Sequence, residues 1–465
     1  MRESRFANSL SDNSGCNIQA FRGAIKKKAI EKAESKKIVI NSEPYKVDGE
    51  VGRFEFQTHR VVNIEEDKTT LFDTSVSLFP VLRGNEYYRT VGFKEVAYIY
   101  GDIQISFRKT ADGINRFRYQ EENGTPHRTL HEGTEREGAG IIDYLDRTSD
   151  RILRQNEFYE DGLYEGPKVE YFSKNEPVCM TDEEIAEAAD LCHCPAGYAK
   201  QDLLNNPVLY ENQAHSTDIS IDDVVVKKQE TTRTGNNSSD VKKRKYVHNT
   251  VAHIVNAGGK YTLNGFNTII TLRYVLAFLL NNSLVDDKRF QFFTDGHKAL
   301  DKCILNTFSW NNNIGLILDW YHLQKKCKEK LSMAMNGRII RNELLRDLMP
   351  LLWHGLTQGA IDLLKNTDAS LIKNKKRMAE LIEYMERNRS HIPCYAVRKR
   401  LGLRNSSAIG EKMNHLVVAE RQKHNGMSWS KKGSMHLAAI TVIKRNSESK
   451  KWFEEKKLDF KLKAA

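Results

Sequence analysis

Two apolar runs of this 465-residue chain each end in a carboxylate. FFTDGH places Asp295 behind Phe292 and Phe293, and LILDWYHL places Asp319 behind Ile317 and Leu318, with His322 three residues on. A strand that delivers an acid at its C-terminal edge can build a site in the crevice beyond it, because the strand is rigid. The plainer alternative is that both acids cap the helices that follow. A third acidic feature is the pair Asp222 and Asp223 in DISIDDVVVKKQ, a β-branched run in which charge is costly unless it has a use. Side chains alternate along a strand, so only one of the pair can face a site; the reading favours Asp222 and leaves Asp223 open. Farther on, a helix begins near Ser406 and carries Glu411 in its first turns, with His415 and Val418 expected on the same face.

The elements around these acids follow from periodicity. Leu300, Cys303, Ile304 and Phe308 recur at helical spacing between the two acid-ended runs, so the segment reads as strand, helix, strand. Upstream, DISIDDVVVKKQ and KYVHNTVAHIVNAGGKYTL read as three strands, the last two joined at a Gly-Gly turn, followed by an apolar helix over 268–282. The order β-β-β-α-β-α-β, closed by the Glu411 helix, predicts an α/β protein with a mixed sheet and a ribonuclease H-like catalytic core. Residues 323–400 are helix-like throughout, with breaks expected at Pro350 and Pro393. Another helix is expected over 436–445, and a charged tail from Asn446. The predicted organisation is an N-terminal arm and small β element (1–88), a helical region (89–210), a first core part (211–322), an all-helical insertion (323–403), a second core part (404–446) and the tail (447–465).

Lys and Arg number 72 against 61 Asp and Glu, a net charge of +11 that favours a polyanionic partner. Residues 91–138 read as three helices in an α-rich helix-turn-helix region: one ending at Gly101, one from Ser106 with Ile105, Phe107, Ala111, Ile114 and Phe117 on its apolar side, and one capped by Thr125. The third carries His127, Arg128, His131 and Arg136, which suits a helix read into a major groove. Cys179, Cys192, His193 and Cys194 lack paired metal-ligand spacing, and the odd count of seven cysteines fits a reducing compartment. No apolar signal core or membrane-length run is present, so a cytoplasmic protein without membrane partners is expected.

The blocks ISIDDVVVKKQ, FFTDGHKAL, ILDWYHL, IPCYAVRKRLGLRNSS, GEKMN and RQKHNGMSWS together resemble those of DDE-type insertion-sequence transposases, ISLre-type, related to the mutator-like group. The resemblance covers residues 90–446. It implies DNA cleavage and joining at the terminal inverted repeats of a mobile element, by a homo-oligomer acting on double-stranded DNA. It also implies Mg²⁺, with Mn²⁺ able to substitute, held by Asp222, Asp295 and Glu411, the catalytic acids. Two hard cations bridging a phosphodiester need such carboxylates from separate elements. Asp223, Asp319 and His322 are candidate supporting residues. Arg398, Lys399, Arg400, Arg404, Arg421, Lys423 and Lys431 flank the Glu411 helix and are expected to contact phosphates. Trp429 is either core or a base-stacking platform. The alternatives kept open are a non-catalytic DNA-binding derivative of such an element and a structure-selective nuclease on the same core.

Overall fold

The computed structural model describes residues 38–63, 70–73, 87–99, 106–120, 124–158, 179–229, 246–285, 289–423 and 426–464. The first 37 residues of the expected arm, Gly101 and Ile105 lie outside them. The described chain separates into two compact units, residues up to 97 with 108–127, and 98–107 with 128–465.

The first unit is built on a four-stranded sheet of order β3-β2-β1-β4, with β1 (Ile38–Asp48), β2 (Arg53–Asn63), β3 (Thr70–Asp73) and β4 (Tyr88–Arg89). Strands β1, β2 and β3 lie within the stretch read as an arm and small β element. Helix α1 (Val91–Lys94) continues as a π turn to Ile99, and α2 spans Phe107–Phe117. Ala111 and Ile114 of α2 are buried as predicted, but Phe117 is 88% exposed, which corrects its placement on the apolar side.

The second unit begins in α3 (His127–Gln155), a 29-residue helix where a short one was expected. The misreading came from its glycines, which look like stop signals. They are close-approach positions instead: a Cβ on Gly138 would lie 2.3 Å from the His436 carbonyl oxygen. Thr125 does not act as a free cap, because its hydroxyl is engaged with Asp48 and Arg118. Helices α4 (Asp182–Asp190) and α5 (Lys200–Leu204) follow.

The unit's centre is a five-stranded mixed sheet of order β7-β6-β5-β8-β9. Strands β5 (Ser216–Lys227), β6 (Tyr246–Asn256) and β7 (Gly259–Gly265) form an antiparallel meander. Strands β8 (Arg289–Thr294) and β9 (Ile314–Leu318) add in parallel beside β5, through crossover helices α6 (Thr268–Asn281) and α7 (Lys298–Thr307). The protein is thus α/β, and the expected element order over this stretch is the order found. Strand β8 is buried along its whole length, as a strand covered on two sides requires.

Residues 320–400 fold as α8 (Trp320–Ala334), α9 (Arg338–Trp353), α10 (Thr357–Lys365), α11 (Lys375–Arg387) and α12 (Tyr395–Arg400). Leu331, Leu352, Ile361, Leu381 and Met385 form one core with Phe293 and Ile317 of the sheet. Pro350 lies inside α9 and does not end it, contrary to expectation. Helix α13 (Ala408–Asn414) passes through a π turn, His415–Ala419, to Gln422. Helix α14 is Lys431–Arg445 and α15 is Ser449–Glu455. The tail is therefore folded, with Trp452, Phe453, Leu458 and Phe460 buried.

Candidate active site at the parallel strand ends

The ladder between β5 and β8 pairs Ser220 with Phe293. Asp222 lies two residues past that last pair on β5, and Asp295 directly follows the end of β8, near enough for its charge to act on Asp222. Asp222 shares its face of β5 with Ser220, Val224 and Val226. Ser220 supports Gly410 so closely that a Cβ there would come within 2.5 Å of the serine Cβ, and the two valines pack with Val417, Val418 and Trp429. Strand parity thus turns Asp222 toward the Glu411 helix. Asp223 points to the opposite face, where it accepts a hydrogen bond from the Thr250 hydroxyl.

Asp222 Oδ2 accepts from Asn414 Nδ2 at 2.9 Å, and its Oδ1 accepts the Asp223 backbone N–H at 2.8 Å. Burial pushes the Asp222 carboxyl up to about 6. The hydrogen bond from Asp223 and the nearby His322 oppose that shift, while the negative charges of Asp295 and Asp223 add to it. Asp295 Oδ1 accepts the His297 N–H at 2.8 Å, and its carbonyl accepts the Tyr384 hydroxyl at 2.8 Å, which fixes the turn after β8 to α11.

Asp319 is fully buried and caps α8: its Oδ1 accepts the His322 N–H at 2.9 Å, and its Oδ2 accepts the Ser407 N–H. Asp319 thus takes the plainer role named for it, capping the helix that follows. His322 Nε2 lies 3.0 Å from Glu411 Oε1. One acid thus sets the histidine's helix and the loop before Glu411 at the same time. Among the described residues, no three carboxylate, imidazole or thiol groups surround a common point as a ready metal cage.

The expected Glu411 face needs one correction. His415, where the helix passes into its π turn, is exposed, and Asn414, three residues after Glu411 on the regular helix, meets Asp222 instead. Sequence reasoning missed Asn414, although its i+3 spacing from Glu411 was a usable signal.

The basic residues divide sharply. Lys399, Arg400, Lys423 and Lys431 are exposed, and Arg404 is half-buried, 3.3 Å from Asp218. Arg398 is fully buried, in a bidentate pair with Glu211 (2.5 and 2.6 Å) and bonded to the Arg404 carbonyl. Arg421 is also buried, against the rings of Phe107 and Trp429. Neither presents its charge to a phosphate, which corrects both assignments. Trp429 belongs to the core and donates to the Gln422 carbonyl at 3.0 Å. On α3, His127, Arg128 and Arg136 are exposed, Arg128 is paired with Glu132, and half-buried His131 stacks edge-on to Phe107. No described helix is long and apolar enough to cross a membrane.

No protein-family model matches this sequence, and no curated protein matches it.

Proposed function

We propose that the protein is a DDE-type transposase that cleaves double-stranded DNA at the ends of a mobile element and joins the freed 3′ hydroxyl to target DNA. The observation that carries this reading is that Asp222, on β5 just past its last pair with β8, lies within reach of the charge of Asp295, which directly follows β8, while Asn414 of the Glu411 helix bonds Asp222. A ribonuclease H-like core is the fold reading that goes with it, supported by a three-strand meander extended by two parallel crossovers.

The donor set fits hard divalent cations such as Mg²⁺ or Mn²⁺. The groups are carboxylates, and Asp222 and Asp295 place like charge together in a half-buried spot that a cation would neutralise. Asp222, Asp295 and Glu411 would hold the metal, whose chemistry is charge neutralisation at the attacking and leaving oxygens of a phosphodiester. Asn414 keeps the Asp222 carboxylate oriented, Asp319 fixes the start of α8 and the approach to α13, and His322 holds Glu411. Exposed Lys399, Arg400, Lys423 and Lys431 supply phosphate contacts.

A second reading, a DNA-binding protein without catalysis, is favoured by one feature: Glu411 is paired with His322. Duplexes carrying the DNA that flanks the coding segment separate the two readings. Asp295→Ala is expected to bind them as the wild type does and to lose Mg²⁺-dependent nicking by at least ~10²-fold. Nicking that persists in this variant refutes the site. No nicking by the wild type in Mg²⁺ or Mn²⁺ selects the binder.

A further inference from the structure

The end of α2 holds two aromatic rings in solvent on a rigid mount. The helix closes with paired bonds, Gln120 N–H to the Asn115 carbonyl at 2.9 Å and Tyr119 N–H to the Arg116 carbonyl at 3.2 Å. This is the Schellman arrangement, whose left-handed position usually holds glycine. Here it holds Tyr119, at φ 51°. A bulky residue there carries backbone strain. No burial offsets it, because Tyr119 is 95% exposed and Phe117 nearly as much.

The mount explains why the rings stay out. Arg118, between them, points inward to Asp48 (2.6 Å) and the Thr125 hydroxyl (3.0 Å), over the Phe93 ring. Asn115 bonds both the Thr125 N–H (2.7 Å) and its carbonyl (3.1 Å), and Gln120 does the same with Arg53 (2.9 and 3.2 Å). Swinging Phe117 or Tyr119 inward would break this set. Arg108, Arg116 and His127 of the same unit are exposed.

We propose that Phe117 and Tyr119 are a wedge that stacks on bases at an opened step of duplex DNA. Flat rings fit base faces, and the exposed arginines supply the charge complementarity to flanking phosphates. Apolar wedges of this kind enter base steps and partly unstack them. The inference rests on the reading of the chain as DNA-acting, and it is independent of cleavage.

The test uses the full chain and a duplex of about 20 base pairs whose central TA step, the easily opened kind, carries 2-aminopurine in place of adenine. Wild-type protein is expected to raise the 2-aminopurine fluorescence several-fold on binding. Tyr119→Gly and Phe117→Ser are expected to bind the duplex with the same salt dependence but without that rise. Tyr119→Gly is expected to melt at the wild-type temperature or above, because glycine relieves the strained position. The wedge is overturned if either the wild type binds without a rise or the variants raise the signal as the wild type does. Variants that instead lose self-association in sedimentation, with fluorescence unchanged, make a second copy the occupant and overturn it too. If the wild type does not bind the duplex at all, the DNA reading fails with it. Loss of nicking in Asp295→Ala alone leaves the wedge standing.

Discussion

Asp218 and Asp222 lie four residues apart on one face of β5, and burial pushes both carboxyls up to about 6. For Asp218, burial and the nearby Glu211 outweigh Arg404 and Arg398. Between its ordinary value near 4 and about 6, the folded protein binds the Asp218 proton more tightly than the unfolded chain does. Stability from this group is therefore present below pH 4 and lost as pH rises to 6, by about 2–3 kcal/mol. His253, whose burial lowers it to about 4, acts with the opposite sign: it loses stability as pH falls from 6.5 toward 4. The two offset each other in the wild type, so the expected signature is a difference. Chemical denaturation of Asp218→Asn against wild type between pH 4 and 7 should show the variant gaining relative stability as pH rises; parallel profiles would mean that Asp218 titrates normally. At this scale the sequence was only half legible. The spacing of Asp222, Asp295 and Glu411 could be read directly, because strand ends and helix starts are local features. Nothing local told the buried Arg398 and Arg421 from exposed Arg400, since burial depends on partners as distant as Glu211.

The segment from α12 to α13 matters more than its length suggests. Arg398 anchors the Arg404 carbonyl, the Trp320 N–H anchors the Asn405 carbonyl at 3.0 Å, Asn405 reaches back to the Tyr395 carbonyl at 2.7 Å, and Asp319 takes the Ser407 N–H. Four anchors thus fix the approach to Glu411. Removing one partner of a fully buried ion pair leaves the other charge uncompensated, at a cost of about 3–5 kcal/mol. Arg398→Met should be destabilised by about that much, and the added change Glu211→Leu should restore a good part of it, because no lone charge then stays buried. In the double variant, hydrogen exchange at the Ser407 amide is expected to speed up relative to amides in β8; unchanged protection there would show that the Arg398 anchor does not hold the segment. The elements themselves were legible in sequence, the strands from β-branched runs and the insertion from helical spacing. The exceptions have physical causes: glycines serving close approach in α3, Pro350 absorbed inside α9, and a π turn that shifts the phase after Asn414.

For the whole molecule, the least legible part was the C-terminal tail, because its charge pattern hides four anchors spaced too irregularly to show a period. Trp452 donates to Glu137 of α3 at 3.0 Å, and Phe460 meets the rings of Tyr261 and Phe278 edge-on. Glu448, fully buried, accepts the Tyr261 hydroxyl at 2.7 Å and the N–H groups of Asp459 and Phe460. Backbone bonds between Lys260 and Lys463 extend the β7 edge by one more pairing. The last residues therefore close one side of the central sheet and tie it to α3. Burying Trp452, Phe453, Leu458 and Phe460 contributes about 1.5–3 kcal/mol each, a sum close to the roughly 5–15 kcal/mol net stability of a whole domain. A chain ending at Asn446 should therefore fail to accumulate as folded protein, even though it keeps every acid of the candidate site. The single change Phe460→Ala grades the same effect: it should cost about 3–5 kcal/mol and lower the melting temperature while the unit stays folded at 25 °C. A truncated chain that melts with the wild type would mean that the tail packs on a core already complete without it.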